Sequence, residues 1–105
     1  MMERRGNVNK QAYLIMAHDD FELLKILLKL IDAKYNDIYL HIDAKANVDV
    51  EMMHSWVVES TLHIVKRMDV RWGGYSQIEC EVCLLKEAIK TKHSYYHLLS
   101  GMTCR

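Results

Sequence analysis

Six consecutive apolar residues, Ala12-Tyr13-Leu14-Ile15-Met16-Ala17, form the first structured signal in this sequence, with no polar residue among them. A strand with one wet face alternates between apolar and polar residues, whereas an unbroken run of strand length suits a parallel strand covered on both faces. His18, Asp19 and Asp20 follow, and Asp19 with Glu22 has the spacing of a capping box, which predicts a helix start there. Leu24, Leu27, Leu28 and Ile31 then recur at i, i+3, i+4 and i+7, so one stripe of that helix packs on a sheet. After a polar connector at 33–36, Ile38-Tyr39-Leu40-His41-Ile42 is a second β-rich run closed by Asp43. Strand, helix and strand in this order predict a parallel pair joined by a right-handed crossover, with His18 and Asp43 on the same edge of the sheet.

The remainder continues the alternation. Residues 44–49 read as a polar loop, and Val50–Ser60 as a short helix burying Met52, Met53, Trp56 and Val57. Leu62-His63-Ile64-Val65 reads as a third strand. Val70-Arg71-Trp72-Gly73-Gly74-Tyr75 follows, where paired glycines mark a turn or a close approach of backbone. Ser76-Gln77-Ile78-Glu79 has capping-box spacing, and Ile78, Val82, Leu85 and Ile89 keep helical spacing to about Lys92. Tyr95-Tyr96-His97-Leu98-Leu99 is a last β-like run, leading into Ser100-Gly101. The fold class expected is α/β, a mostly parallel sheet with flanking helices. Residues 1–9 read as a polar tail, and 10–105 as part of one domain.

The 105 residues suit one small core. Fourteen basic and fourteen acidic side chains cancel, so the total charge carries no footprint for nucleic acid or anionic lipid. Three cysteines, two of them three residues apart, make no disulfide framework, which points to a reducing, cytoplasmic setting. The longest apolar-rich stretch, Phe21 to Ile31, is broken by Glu22, Lys25 and Lys29 and falls short of the ~20 residues that span a bilayer. No signal peptide or membrane anchor is read in the sequence, which leaves at most a peripheral membrane association.

Ligands of open α/β sheets bind beyond the carboxyl ends of the strands, where His18, Asp43 and Ser100-Gly101 fall. A carboxylate there accepts two hydrogen bonds from a ribose diol, which makes Asp43 the leading ligand candidate; capping of the next turn is the equal alternative. His18 can meet a ligand by ring or backbone, or be an ordinary satisfied polar group. Trp72 and Tyr75 can stack on a base, or pack in the core. Asp19-Asp20 is discounted as a metal pair, and Cys80 and Cys83 lack the two further ligands a zinc site needs. No Gly-rich phosphate fingerprint and no Asp-x-Asp triplet is present, Asp49-Val50-Glu51 being the nearest string, so no metal cofactor is expected.

The string from Ala12 to His18, the Phe21-Glu22-Leu23-Leu24 helix start, and Ile38-Tyr39-Leu40-His41-Ile42-Asp43-Ala44-Lys45 together resemble the opening of the Core-2/I-branching β-1,6-N-acetylglucosaminyltransferase family, which also contains peptide O-xylosyltransferases. Trp72 to Glu79 and Tyr95 to Gly101 match its next two blocks, in order and at similar spacing, so the resemblance covers residues 10 to 101. It implies a GT-A-like, Rossmann-related fold and inverting transfer of a sugar, N-acetylglucosamine or xylose, from a UDP-sugar donor to a glycan or protein acceptor, without metal. Carried over by position, Met16, Ala17, His18 and Asp43 match the uridine-holding segments and Trp72 an aromatic beside the nucleotide; Ser76 and Gly101 match positions without an assigned role.

Where the family continues from Ser-Gly into an Asp and a Pro-containing segment, this sequence has Met102-Thr103-Cys104-Arg105. By the resemblance, the catalytic glutamate and two diphosphate-neutralising basic residues belong to a later part, so the reading is of a truncated domain, inactive alone. No cation cluster that could stabilise a leaving diphosphate is evident in the sequence. Exposed edge strands of an incomplete sheet predict self-association. Two other readings remain open. One is a small flavodoxin-like or receiver-like binding module, disfavoured because only Asp43 closes a strand as a receiver requires; the other is a non-functional truncated product.

Overall fold

A computed structural model describes residues 10–18, 20–71 and 74–99. Four strands, β1 (Gln11–Ala17), β2 (Asn36–Ile42), β3 (Thr61–Ile64) and β4 (Tyr95–Leu99), alternate with three helices, α1 (Phe21–Ile31), α2 (Val50–Met53) and α3 (Tyr75–Ala88). The sheet order is β3-β2-β1-β4 and every pairing is parallel. The α/β class with flanking helices is therefore as the sequence implies.

The unbroken apolar run of β1 is explained by its two covered faces. Ile15 and Ala17 join Leu24 and Leu28 of α1 in one core layer, with Ile38, Leu40, Ile42, Met53 and Leu62. Ala12, Leu14 and Met16 point the other way, toward Cys80, Leu84 and Ala88 of α3. β2 is buried along its whole length, as a central parallel strand is.

Helix starts differ from the expected boxes. The α1 cap is Asp20, whose carboxylate accepts from the Leu23 amide at 3.2 Å while its own backbone takes φ 49°, a left-handed conformation that Asp tolerates better than most residues. Asp19 lies outside the described residues. At α3 the cap position is Gly74, without a side-chain bond, and the Ser76 hydroxyl instead accepts from the Arg71 amide at 2.8 Å. A Cβ on Gly74 would stand 3.3 Å from the Arg71 carbonyl, so this glycine marks a close approach of backbone to backbone.

The expected 50–60 helix is shorter. After four α-helical residues the chain tightens into a 3-10 turn, His54–Trp56. Met53 is fully buried and Trp56 and Val57 pack on the core, but Met52 is exposed. α3 ends at Ala88 rather than near Lys92, and its spaced residues Ile78, Val82, Leu85 and Ile89 are exposed while Cys80, Leu84 and Ala88 are buried. Tyr75 is exposed as well, so the core reading of that aromatic does not hold.

Candidate functional site

Parallel pairing in register sets Ala17 opposite Ile42, and the next amide, Asp43 N–H, donates to the Ala17 carbonyl at 3.0 Å. The tips of β1 and β2 are thus joined, and His18 and Asp43 leave the sheet from the same edge. The chain departs β1 through α1 on one face and reaches its other neighbour, β4, through α3 on the opposite face. That reversal makes the β1 tip the topological switch point, where an open α/β sheet leaves a crevice for a ligand.

Each predicted residue takes a distinct place there. Met16 and Ala17 are buried on opposite faces of β1, so only their backbone can meet a ligand. His18 is half-buried at the tip. Trp72 lies outside the described residues, as do Gly73, Ser100 and Gly101.

Asp43 is 2% exposed and its carboxylate is already engaged. It accepts from the Lys45 amide at 2.8 Å and from Lys45 Nζ at 3.2 Å, the first an Asx-type cap of the following turn. The capping alternative is thus realised. Burial alone would raise its pKa, but the Lys45 amide, the Lys45 ammonium and the Val70 amide outweigh that and hold the carboxyl below the usual aspartate range. Lys45 also reaches Asp69 Oδ1 at 2.6 Å and the Val70 carbonyl at 3.1 Å, and these acidic partners keep its ammonium charged above the usual lysine range.

Two more residues, which the sequence did not single out, complete the tip. Arg67 donates to the carbonyls of Asp43 and Ala46. His41 accepts the Met68 amide on Nε2 at 2.9 Å, and burial, aided by the Arg67 charge against that of Asp43, lowers its pKa. The segment 65–70 is thereby tied across the end of β2. Lys45 and Arg67 gather at one strand tip, although 22 positions separate them in the sequence. Both cations are engaged by protein oxygens. The Lys45 signal was legible in the Asp-Ala-Lys spacing; that of Arg67 was not, since only the β2–β3 pairing brings it there.

No group of three potential metal ligands exists among the described residues. Asp49, in the nearest string to an acidic triplet, caps α2 by accepting the Glu51 amide at 3.0 Å. No helix among the described residues is long and apolar enough to cross a membrane.

The sequence matches the family model of the Core-2/I-branching enzymes over residues 11–102. A curated pig (Sus scrofa) protein named "Probable beta-1,3-galactosyl-O-glycosyl-glycoprotein beta-1,6-N-acetylglucosaminyltransferase 7" is 25% identical over 92 residues, covering 85% of this chain and 21% of the relative. The chain therefore spans about a fifth of the length of that relative. A match over nearly the whole described sheet, on a parallel α/β frame with its strand tips joined, shows that this chain belongs to the Core-2/I-branching enzyme family.

Proposed function

We propose that this chain forms the donor-nucleotide side of a GT-A-like, inverting glycosyltransferase that uses a UDP-sugar without a metal ion. The donor sugar is N-acetylglucosamine or xylose, and the acceptor is a glycan or protein. The observation that carries this reading is the joined tip of β1 and β2, where the Asp43 amide bonds to the Ala17 carbonyl at 3.0 Å beside the switch point. In this reading Met16, Ala17 and His18 border the crevice that takes the uracil, and Trp72 is the aromatic that stacks on it. Asp43, kept ionised, suits a ribose diol once Lys45 turns toward the diphosphate.

The relative's printed name supports β-1,6-N-acetylglucosaminyl transfer as the reaction of the whole protein. The two acidic groups at the tip, Asp43 and Asp69, are both bound by Lys45, so neither is free to act as a base. The chain by itself is proposed to bind donor without turning it over. A cytoplasmic setting accords with the free thiols of Cys80 and Cys83. Self-association is part of the proposal: β4 pairs only with β1 among the described strands, and an open strand edge invites a partner.

Calorimetric titration with UDP, in chelator and then in excess manganese, tests the donor reading. Saturable binding that is indifferent to metal and stronger for UDP than for ADP supports it. No binding of UDP, or equal binding of both nucleotides, sinks it.

A further inference from the structure

The end of β2 is held by a segment that returns to it from beyond β3. Met68 is bound through both of its backbone groups: its amide donates to His41 Nε2 at 2.9 Å, and its carbonyl accepts the Ala44 amide at 2.9 Å. To one side of it, Arg67 donates to the carbonyls of Asp43 and Ala46. To the other, the Asp69 carboxylate and the Val70 carbonyl accept from Lys45 Nζ. These bonds all land on residues 41–46, the stretch that carries Asp43 and Lys45. Every partner lies between His41 and Val70, so the arrangement rests on that stretch alone.

His41 is the link that a proton can break. Its Nε2 serves as acceptor, and a backbone amide has no lone pair to offer in return, so protonating that nitrogen sets one N–H against another. The ring is 1% exposed, which leaves the charged form without water to replace the lost bond. Burial lowers its pKa; the Asp43 carboxylate opposes that shift and the Arg67 charge adds to it. Asp69 and Lys45 complete the charged groups on the segment and the turn. On the same face of the sheet, α3 brings Cys80, whose thiol burial pushes up to about 12, and β1 brings the uncharged Met16 opposite His41. Two residues back on β2, the Tyr39 phenol is pushed up by burial and by the Asp37 charge, with the exposed His63 of β3 stacked on its ring at 4.6 Å.

We infer, resting on the donor reading above, that His41 is a positioning residue of the donor site: neutral, it latches 65–70 across the end of β2 and keeps Lys45 divided between Asp43 and Asp69; protonated, it releases the segment and leaves Lys45 to Asp43 alone. Once Asp69 and Val70 withdraw, the Asp43 carboxylate is more firmly occupied and less able to turn to a ribose diol. The 43–46 turn also loses the two Arg67 bonds that shape it. The latched form is favoured above about pH 6.5, the ordinary histidine value, and loses ground below it, so donor affinity falls in the same direction.

Latch and site are read separately on the full chain. Hydrogen-exchange protection of the Ala44 and Met68 amides reports the latch without ligand. Calorimetric titration with UDP-N-acetylglucosamine, whose diphosphate has no group titrating between the two pH values used, reports the site. From about pH 7.5 to pH 5 the wild type is expected to lose on the order of tenfold in affinity while both amides lose protection. His41→Gln places an acceptor that takes no proton where Nε2 stood, and flattens both profiles. His41→Asn, one bond too short to reach Met68, lacks the latch at both pH values. His63→Gln, which changes the other histidine on that face, keeps the wild-type profile. Amides equally protected at both pH values, a His41→Gln profile as steep as that of the wild type, or an affinity that ignores pH while protection falls overturns the proposal. A wild type that binds no donor at pH 7.5 refutes the donor reading instead, and the latch is then decided by amide protection in the wild type and His41→Gln.

Discussion

His93 Nε2 lies 2.8 Å from Asp37 Oδ2, joining the chain two residues before β4 to the start of β2 across the intervening strand. The His93 side chain is fully buried and that of Asp37 is 6% exposed, with Lys10 3.5 Å from the same oxygen. Tyr39 and Tyr96 pack their ring edges on the imidazole. This contact staples the edge strand β4 to the sheet from below, at the end opposite the candidate site.

Replacing His93 with Ala leaves Asp37 buried with only Lys10 for company. The expected cost is about 1–3 kcal/mol, the usual penalty for leaving a buried hydrogen-bonding group without its partner. Urea unfolding measures it, and faster amide exchange confined to Tyr95–Leu99 identifies β4 as the element released.

Asp32, just past the end of α1, accepts from the amides of Val58, Glu59 and Ser60 and from the Ser60 hydroxyl, at 2.7 to 3.0 Å. What burial it has raises its pKa, yet the Ser60 and Val58 amides, with the Ser60 hydroxyl and Glu59 amide, lower it further. A carboxyl whose folded pKa lies below the unfolded value near 3.8 stabilises the fold above that pH and loses its contribution as pH falls through the folded value. Asp32→Ala is expected to cost about 1–2 kcal/mol at neutral pH. Between about pH 5 and pH 3, the stability of Asp32→Asn falls less steeply than that of the wild type; parallel curves from denaturant melts refute the assignment.

His41 behaves in the opposite chemical sense with the same sign. Its Nε2 accepts the Met68 amide, so the neutral ring carries its proton on Nδ1. Burial lowers its folded pKa below the ordinary 6.5, so the unfolded chain takes up protons first as pH drops from about 6.5, and stability declines. His41→Gln is expected to remove that part of the acid sensitivity. Ring titration by NMR, with the Met68 amide as reporter, checks both the lowered pKa and the loosening of 65–70 beside the site.

Asp43→Asn removes the charge proposed to hold the ribose and is expected to weaken UDP binding at least tenfold, roughly the loss of one charge-assisted hydrogen bond. Lys45→Met releases Asp43 and Asp69 together. If Lys45 turns toward the diphosphate, this variant loses more affinity for UDP than for uridine. Equal losses for the two ligands restrict Lys45 to capping.

The Ala12–Ala17 run and the Leu24/Leu28 stripe needed no tertiary information to read, because burial on two faces and helix packing each impose a period on the residues themselves. Helix starts were less legible: Asp19 and Asp20 are adjacent carboxylates, and the left-handed backbone that makes Asp20 the cap leaves no trace in residue type. The second box failed for another reason, since the Ser76 hydroxyl is claimed by the Arg71 amide. At α3 the apolar spacing of Ile78, Val82, Leu85 and Ile89 was plain, but the tertiary packing turns the Cys80, Leu84 and Ala88 face to the sheet instead.

The sequence by itself determined the parallel α/β order, the strand-end location of His18 and Asp43, and the family. Local periodicity and ordered motifs carry that much, because they record contacts between near neighbours. Only the tertiary structure decided that the Asp43 carboxylate is shared with Lys45, that Arg67 and His41 bind the 65–70 segment over the tip, and that β1 is the switch point. Those depend on strands far apart in sequence lying 4.7–4.9 Å apart in a sheet, and no spacing along the chain encodes which tip faces which.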